Sequence, residues 1–178
     1  LIRNRLQAYW NVDMTDNGDL SGKVIIADVT KENKRMEGDL KLSTFNLDFL
    51  APLVGEYSSL KSNIESDLKF KGDMFHPQVD GVVSVDGIQV KGDISPVEIE
   101  SGLVTLTFKG YQASLNANVL TQDGELEITG DADWQNIDDW RVNSHVFAKS
   151  LLVDLPPIVK VKVVPDLTLN MQPKLAKV

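Results

Sequence analysis

Residues 78–94 read QVDGVVSVDGIQVKGDI, and this stretch decides the fold class. From Val79 to Val85 every second residue is valine or glycine, and the residues between them are mostly polar. Successive side chains of a β-strand point to opposite faces, so this period of two predicts a strand with one apolar face. The alternation resumes one residue out of phase after Asp86-Gly87, which is typical of a tight turn or a β-bulge.

The same period of two recurs along most of the chain. Turn residues separate some of the runs, at Asp16-Asn17-Gly18 and at Gln122-Asp123-Gly124. We therefore predict an all-β fold for residues 1–178, as one segment of a longer protein, since the chain opens on Leu1 without an initiator Met. The further runs are Leu20 to Ile26, Met36 to Leu42, Val104 to Phe108, Tyr111 to Val119, Leu126 to Trp134, Val159 to Val163 and Leu167 to Met171.

Glycine recurs inside or beside the predicted strands instead of gathering in flexible linkers. Glycine weakens a strand, so its presence there indicates bends, bulges or the close approach of a neighbouring layer. Such devices curve a sheet, and we therefore expect an elongated, curved β-sheet. These glycines are Gly22, Gly38, Gly72, Gly81, Gly92, Gly110 and Gly130.

One stretch departs from the period of two. Apolar residues fall there at spacings of three and four, and Pro52 lies near the start, as in a first helical turn. We predict at most one short amphipathic helix, within residues 49–64, which would cap a sheet edge. The spaced residues are Phe49, Leu53, Tyr57, Leu60 and Ile64.

Composition excludes several classes of function. A formal net charge of −8 argues against nucleic acid and against anionic membrane surfaces, because both need clustered cations. The absence of cysteine excludes disulfides, thiolate catalysis and cysteine-based zinc sites. No run approaches eighteen uninterrupted apolar residues, so we expect no helix that spans a bilayer.

Catalytic motifs are absent as well. Only His76 and His145 are available, which excludes a zinc site of three histidines, and no nucleophile elbow or P-loop appears. Asp131 and Asp133 would lie about 7 Å apart on one strand face, within the range of inverting glycosidases, but such pairs are common on solvated strands. We predict that the protein is not an enzyme and has no cofactor and no metal.

The alternating runs leave one inward-facing set of apolar side chains. We predict that this set lines a hydrophobic groove that holds or passes apolar molecules. The predicted groove residues are Val83, Val85, Val90, Ile94, Val104, Leu106, Phe108, Leu115, Leu126, Ile128, Val161, Val163, Leu167 and Leu169.

Three segments resemble elements of the TamB family, bacterial envelope proteins related to the AsmA-like group. Residues 70–87, FKGDMFHPQVDGVVSVDG, resemble its recurring glycine, proline, glycine element, in which glycine and proline interrupt strands. Residues 123–134, DGELEITGDADW, resemble its hairpin and strand unit, and residues 163–169, VVPDLTL, resemble a strand near its carboxy-terminal domain. The chain is identified as a member of this family, from the carboxy-terminal domain region, and the amino-terminal third matches in style alone.

The resemblance implies a fold, a location and partners. TamB-like proteins are anchored in the inner membrane of Gram-negative bacteria and cross the periplasm as a "β-taco", a sheet bent over a hydrophobic groove. They pair with the outer-membrane barrel TamA, and they are linked to phospholipid movement between membranes and to outer-membrane protein assembly. The expected function is phospholipid conduction, and the expected ligands are acyl chains.

Two alternatives remain open at this point. Within the family, the sheet would act as a chaperone-like scaffold that receives unfolded outer-membrane strands at an edge by β-augmentation. Outside the family, Trp10, Trp134 and Trp140 would stack on sugar rings in a secreted glycan-binding β-sandwich.

Overall fold

The computed structural model describes residues 4–46, 59–91, 97–155 and 159–173, and most of these lie in strands. The strands are β1 (Arg5–Asp13), β2 (Asp19–Ala27), β3 (Arg35–Asn46), β4 (Ser59–Asp73), β5 (Pro77–Lys91), β6 (Ile99–Gly110), β7 (Gln112–Thr121), β8 (Gly124–Asp133), β9 (Arg141–Ala148), β10 (Leu151–Leu155), β11 (Val159–Val163) and β12 (Asp166–Met171). A 3-10 turn, Ile137–Asp139, joins β8 to β9. The all-β prediction is confirmed. Across the described ranges, no helix has the length and apolar character needed to cross a membrane.

Ten of the strands form one long, curved antiparallel sheet. Strands β1 to β9 pair in chain order, and β12 pairs with β9 because β10 and β11 form a separate two-stranded unit, called the ribbon below. In the described part of the chain β1 and β12 are the two edges, and each pairs on one side only. The sheet is therefore open, as predicted for a curved sheet of the taco type.

The pairing register aligns the apolar side chains of all ten strands. Because facing residues share a face of the sheet, one row of paired residues can be followed from edge to edge. That row is Val12, Leu20, Leu42, Ser66, Val83, Leu106, Leu115, Gly130, Ser144 and Leu169. We call the face that carries this row the apolar face and the opposite one the polar face.

The out-of-phase alternation at Asp86-Gly87 comes from a β-bulge. Strand β5 continues through this dipeptide, and its register against β4 shifts by one residue between the pairs Asn63 with Asp86 and Lys61 with Gln89. Gly87 takes a positive φ of 62°, which glycine adopts without strain. Of the two structures expected for this dipeptide, the bulge is therefore the one formed.

The predicted helix is wrong where it can be compared with the structure. Residues 59–64 of the predicted helix begin strand β4, while Phe49, Leu53 and Tyr57 lie outside the described residues. Leu60 and Ile64 are four residues apart, a spacing that puts two side chains on one face of a helix and of a strand alike. The spacing therefore did not distinguish the two structures.

Two strand glycines lie under aromatic rings of the neighbouring strand. Trp10 faces Gly22 across β1 and β2, and a Cβ at Gly22 would stand 2.6 Å from the indole ring. Phe70 faces Gly38 in the same way, and a Cβ at Gly38 would overlap its ring. Large rings thus use the space that glycine leaves open, an arrangement known to support glycine within sheets.

Gly38→Ala should therefore destabilise the chain. The added Cβ displaces the Phe70 ring and strains the β3 backbone, and overpacking of this kind costs about 1–3 kcal/mol. Gly87→Asn is the matched control, because nothing lies within 4 Å of its Cβ position and asparagine tolerates positive φ. Urea unfolding measures both variants, and equal losses of stability would contradict the packing described here.

Candidate functional site

The apolar face is open over most of its area. Among the described residues no large side chain is fully buried, and the buried hydrophobic residues number four. A face that a second layer covered would hold large side chains with almost no exposure. Most of the apolar face therefore remains accessible to a ligand of suitable shape. The four buried residues are Ala117, Val119, Ala148 and Leu151.

The structure places eleven of the fourteen predicted groove residues on this face by register. Ile94 lies outside the described residues, and Val161 and Val163 belong to the ribbon rather than to the main sheet. Leu167 and Leu169 lie on edge strand β12 and are exposed. The residues on the face are Val83, Val85, Val90, Val104, Leu106, Phe108, Leu115, Leu126, Ile128, Leu167 and Leu169.

The ribbon is attached to the turn between β7 and β8. Asp123 in that turn accepts a hydrogen bond from Ser150 at 3.1 Å and forms an ion pair with Lys162 of β11 at 2.8 Å. The carbonyl oxygen of Ser150 would stand 2.7 Å from a Cβ at Gly124, so glycine permits this close approach. Leu151, the first residue of the ribbon, is buried. The ribbon thus packs against one strand end of β8.

Charges alternate across the polar face. One row of paired residues carries Lys23, Asp39, Lys69, Asp80 and Lys109 on β2 to β6. Lys23 Nζ lies 3.2 Å from an Asp39 carboxylate oxygen. Opposite charges that face one another across strands favour this pairing register over a shifted one.

Asp131 and Asp133 are each held by a side chain of a neighbouring strand. Asp131 accepts a hydrogen bond from Asn143 at 2.8 Å, and Asp133 accepts one from Gln112 at 2.9 Å. The hydrogen bond from Gln112, with a second from the Gln135 backbone amide, lowers the pKa of Asp133. A general acid needs a raised pKa, so the shift at Asp133 is opposite to the one that this role requires. In the described ranges no cluster of acidic and histidine side chains could hold a metal.

Two of the three tryptophans have structural contacts within the sheet. Trp10 covers Gly22, and the Trp134 indole donates a hydrogen bond to the Pro77 carbonyl at 3.1 Å. His76 forms a hydrogen bond with the Trp134 carbonyl oxygen and stacks on Tyr111. The sequence alone gave no indication of this contact. The described residues form one ten-stranded open sheet and the small ribbon, whereas the β-sandwich of the glycan-binding alternative requires two large sheets packed face to face.

Comparison with known proteins agrees with this architecture. A family model described as "TamB, N-terminal domain" matches residues 1–85. The chain is 28% identical over 171 residues, 96% of its length, to the Translocation and assembly module subunit TamB of Haemophilus influenzae. Both comparisons support the interpretation of this chain as a fragment of a TamB-like protein. The chain spans 13% of the length of that relative, and no solved structure matches it significantly.

The resemblance to TamB predicted from sequence is thus confirmed, whereas the matching family model is that of the amino-terminal domain and not of the predicted carboxy-terminal domain region. Its match covers the amino-terminal third, which resembled the family in style alone, and most of the element at residues 70–87. Strands interrupted by glycine and proline can recur throughout a long repetitive sheet, so they identify the family without locating a segment in it.

Acid should release the ribbon. The hydrogen bond with Lys162, followed by that with Ser150, lowers the pKa of Asp123. A lowered pKa means that the contact contributes its full stabilisation above pH ~4. This stabilisation is lost as the pH falls through the pKa that Asp123 has in the folded state. We expect faster hydrogen exchange of the β10 and β11 amides at low pH than at neutral pH, after correction for intrinsic rates. In the Asp123→Asn variant the same amides should exchange fast at both pH values. Exchange in the wild type that does not depend on pH would contradict the role given to Asp123.

Proposed function

We propose that this chain forms part of a conduit that carries phospholipid across the periplasm between the inner and outer membranes. The observation that carries the proposal is the apolar face, which crosses ten strands and on which no large described side chain is fully buried. The protein would belong to a Gram-negative bacterium, with its anchor in the inner membrane and TamA as its outer-membrane partner. The name of its relative, a subunit of a translocation and assembly module, agrees with a transport role.

The energetic need for such a face is large. Moving an acyl chain of sixteen carbons through water costs about 12 kcal/mol, at about 0.8 kcal/mol per methylene. An apolar face removes most of this barrier because it resembles the bilayer interior in polarity. The free energy of transferring a lipid between the membrane and the groove is then close to zero, which suits a passive conduit. Transport in one direction would require an energy source outside this chain.

The dimensions of the sheet suit an acyl chain. Ten strands at a spacing of about 4.8 Å extend about 43 Å across the strands. The hydrocarbon core of a bilayer is about 30 Å thick, so the chains of one leaflet reach about 15 Å. A single lipid would therefore find continuous apolar surface along its whole tail and beyond it.

A second candidate function rests on the sheet edges. In the described part of the chain β1 and β12 pair on one side only, and Leu6, Tyr9 and Leu167 on these strands are exposed. An unpaired edge can accept an additional strand through main-chain hydrogen bonds. The sheet would then act as a scaffold for unfolded outer-membrane protein strands, with main-chain pairing rather than the apolar face as the main contact.

Leu106→Arg tests the conduit. On an open face the guanidinium reaches water, so the variant should keep its β circular dichroism and most of its melting temperature while photo-crosslinking to lipid falls to background. Thr107→Arg is the matched control, because Thr107 is exposed on the polar face one residue away, and it should leave crosslinking unchanged.

Three other outcomes would contradict the conduit. If Leu106→Arg unfolds the chain, the apolar face is a closed core, because burial of an unpaired charge costs several kcal/mol against a total stability of about 5–15. If the folded variant still crosslinks lipid, the face is not the binding surface. If wild type crosslinks outer-membrane protein strands and no lipid, the scaffold replaces the conduit.

A further inference from the structure

Two serines on the apolar face have buried hydroxyl groups without a hydrogen-bond partner. Ser62 and Ser66 of β4 are 5% and 6% exposed, and neither Oγ atom has a partner. Thr121, which is buried on the same face, differs from them, because its hydroxyl donates to the Gly124 carbonyl at 2.8 Å. The protein thus supplies a hydrogen-bond partner for the threonine hydroxyl and none for the two serine hydroxyls.

The two serines lie where the sheet is most irregular. The register of β3 against β4 shifts between the pairs Leu42 with Ser66 and Phe45 with Ile64. The bulge of β5 lies beside Ser62 on the other side of β4. Both neighbouring strands thus carry an extra residue along this part of β4, and bulges of this kind redirect side chains near binding sites.

An unpartnered buried hydroxyl destabilises a folded protein. Alanine at either position would have nearly the same volume and no desolvation cost. Native structures satisfy nearly all buried polar groups, so two exceptions on one strand of a mainly apolar face require an explanation. A ligand that brings its own acceptor into the groove would supply the missing bond.

We propose that Ser62 and Ser66 are polar subsites that donate hydrogen bonds to the ester carbonyl groups of acyl glycerolipids. This inference rests on the proposed lipid conduit and names the part of the lipid that the groove recognises. Ester carbonyls are the acceptors closest to the acyl chains, so they are the polar atoms that a lipid lying on an apolar face carries with it. The serines are four residues apart on one strand, about 13 Å, so the adjacent esters of one lipid cannot reach both.

Access to the hydroxyls requires small side-chain movements. Ile64 lies between the serines, and Leu42 and Val83 flank Ser66 across the strands; all three are partly exposed. Partly exposed side chains change rotamer on the picosecond to nanosecond timescale, which is fast compared with lipid exchange. A carbonyl group that enters between these side chains would reach Oγ without rearrangement of the strands.

A pair of lipids tests the proposal. The 178-residue chain is titrated with a diester phospholipid and with the diether phospholipid of the same chain length and headgroup, which lacks both carbonyl oxygens. Wild type should bind the diester about two- to tenfold more tightly, the range expected for one neutral hydrogen bond. The double variant Ser62→Ala and Ser66→Ala should bind both lipids with the affinity that wild type has for the diether. Ser114→Ala, on the polar face, should keep the wild-type preference.

The outcomes separate this inference from the conduit itself. If wild type binds both lipids equally and the double variant only gains thermal stability, the serines are small packing residues and the subsite is overturned while the conduit stands. If wild type binds neither lipid, the conduit fails together with the subsite. A diester preference that survives in the folded double variant would place the polar contact elsewhere and also overturn the assignment.

Discussion

The main constraint on this structure is a sheet that carries its apolar side chains on one face without a full second layer to cover them. In the described residues the buried hydrophobic set is small, and the ribbon packs at one strand end of β8. The sheet therefore shields its apolar face mainly by its own curvature and by side chains of adjacent strands, such as Trp10 over Gly22 and Phe70 over Gly38. The same lack of cover that limits the core leaves room for a ligand.

Register is the property that keeps this face continuous. A slip of one residue in any strand would turn its apolar side chains to the polar face and interrupt the row from Val12 to Leu169. Short connections between neighbouring strands and opposite charges on the polar face both oppose such a slip. The polar face thus helps to keep the apolar face continuous, since pairs such as Lys23 with Asp39 favour the observed register of the strands.

The period of two was sufficient to predict the all-β fold and the shared face of residues such as Val83 and Leu106, because the alternation of side chains along a strand is a local property of the sequence. Local turn residues predicted the turns in the same way. The helix over residues 49–64 was wrong in its described part because a spacing of four fits both structures. The ribbon was missed because Val161 and Val163 alternate like any other strand, and pairing partners depend on contacts distant in sequence. The buried serines gave no signal either, since burial at Ser62 and Ser66 depends on packing against neighbouring strands, which the local sequence does not show.

Solvent accessibility of the apolar face tests the central claim most directly. The chain contains no cysteine, so Leu115→Cys on the apolar face and Asn116→Cys on the polar face each introduce a single thiol. We predict that a water-soluble maleimide modifies both thiols in the folded chain at rates within about one order of magnitude, and that added phospholipid protects Leu115→Cys alone. A thiol at position 115 that reacts only when the chain unfolds would mean that the apolar face is a closed core, and it would contradict the account.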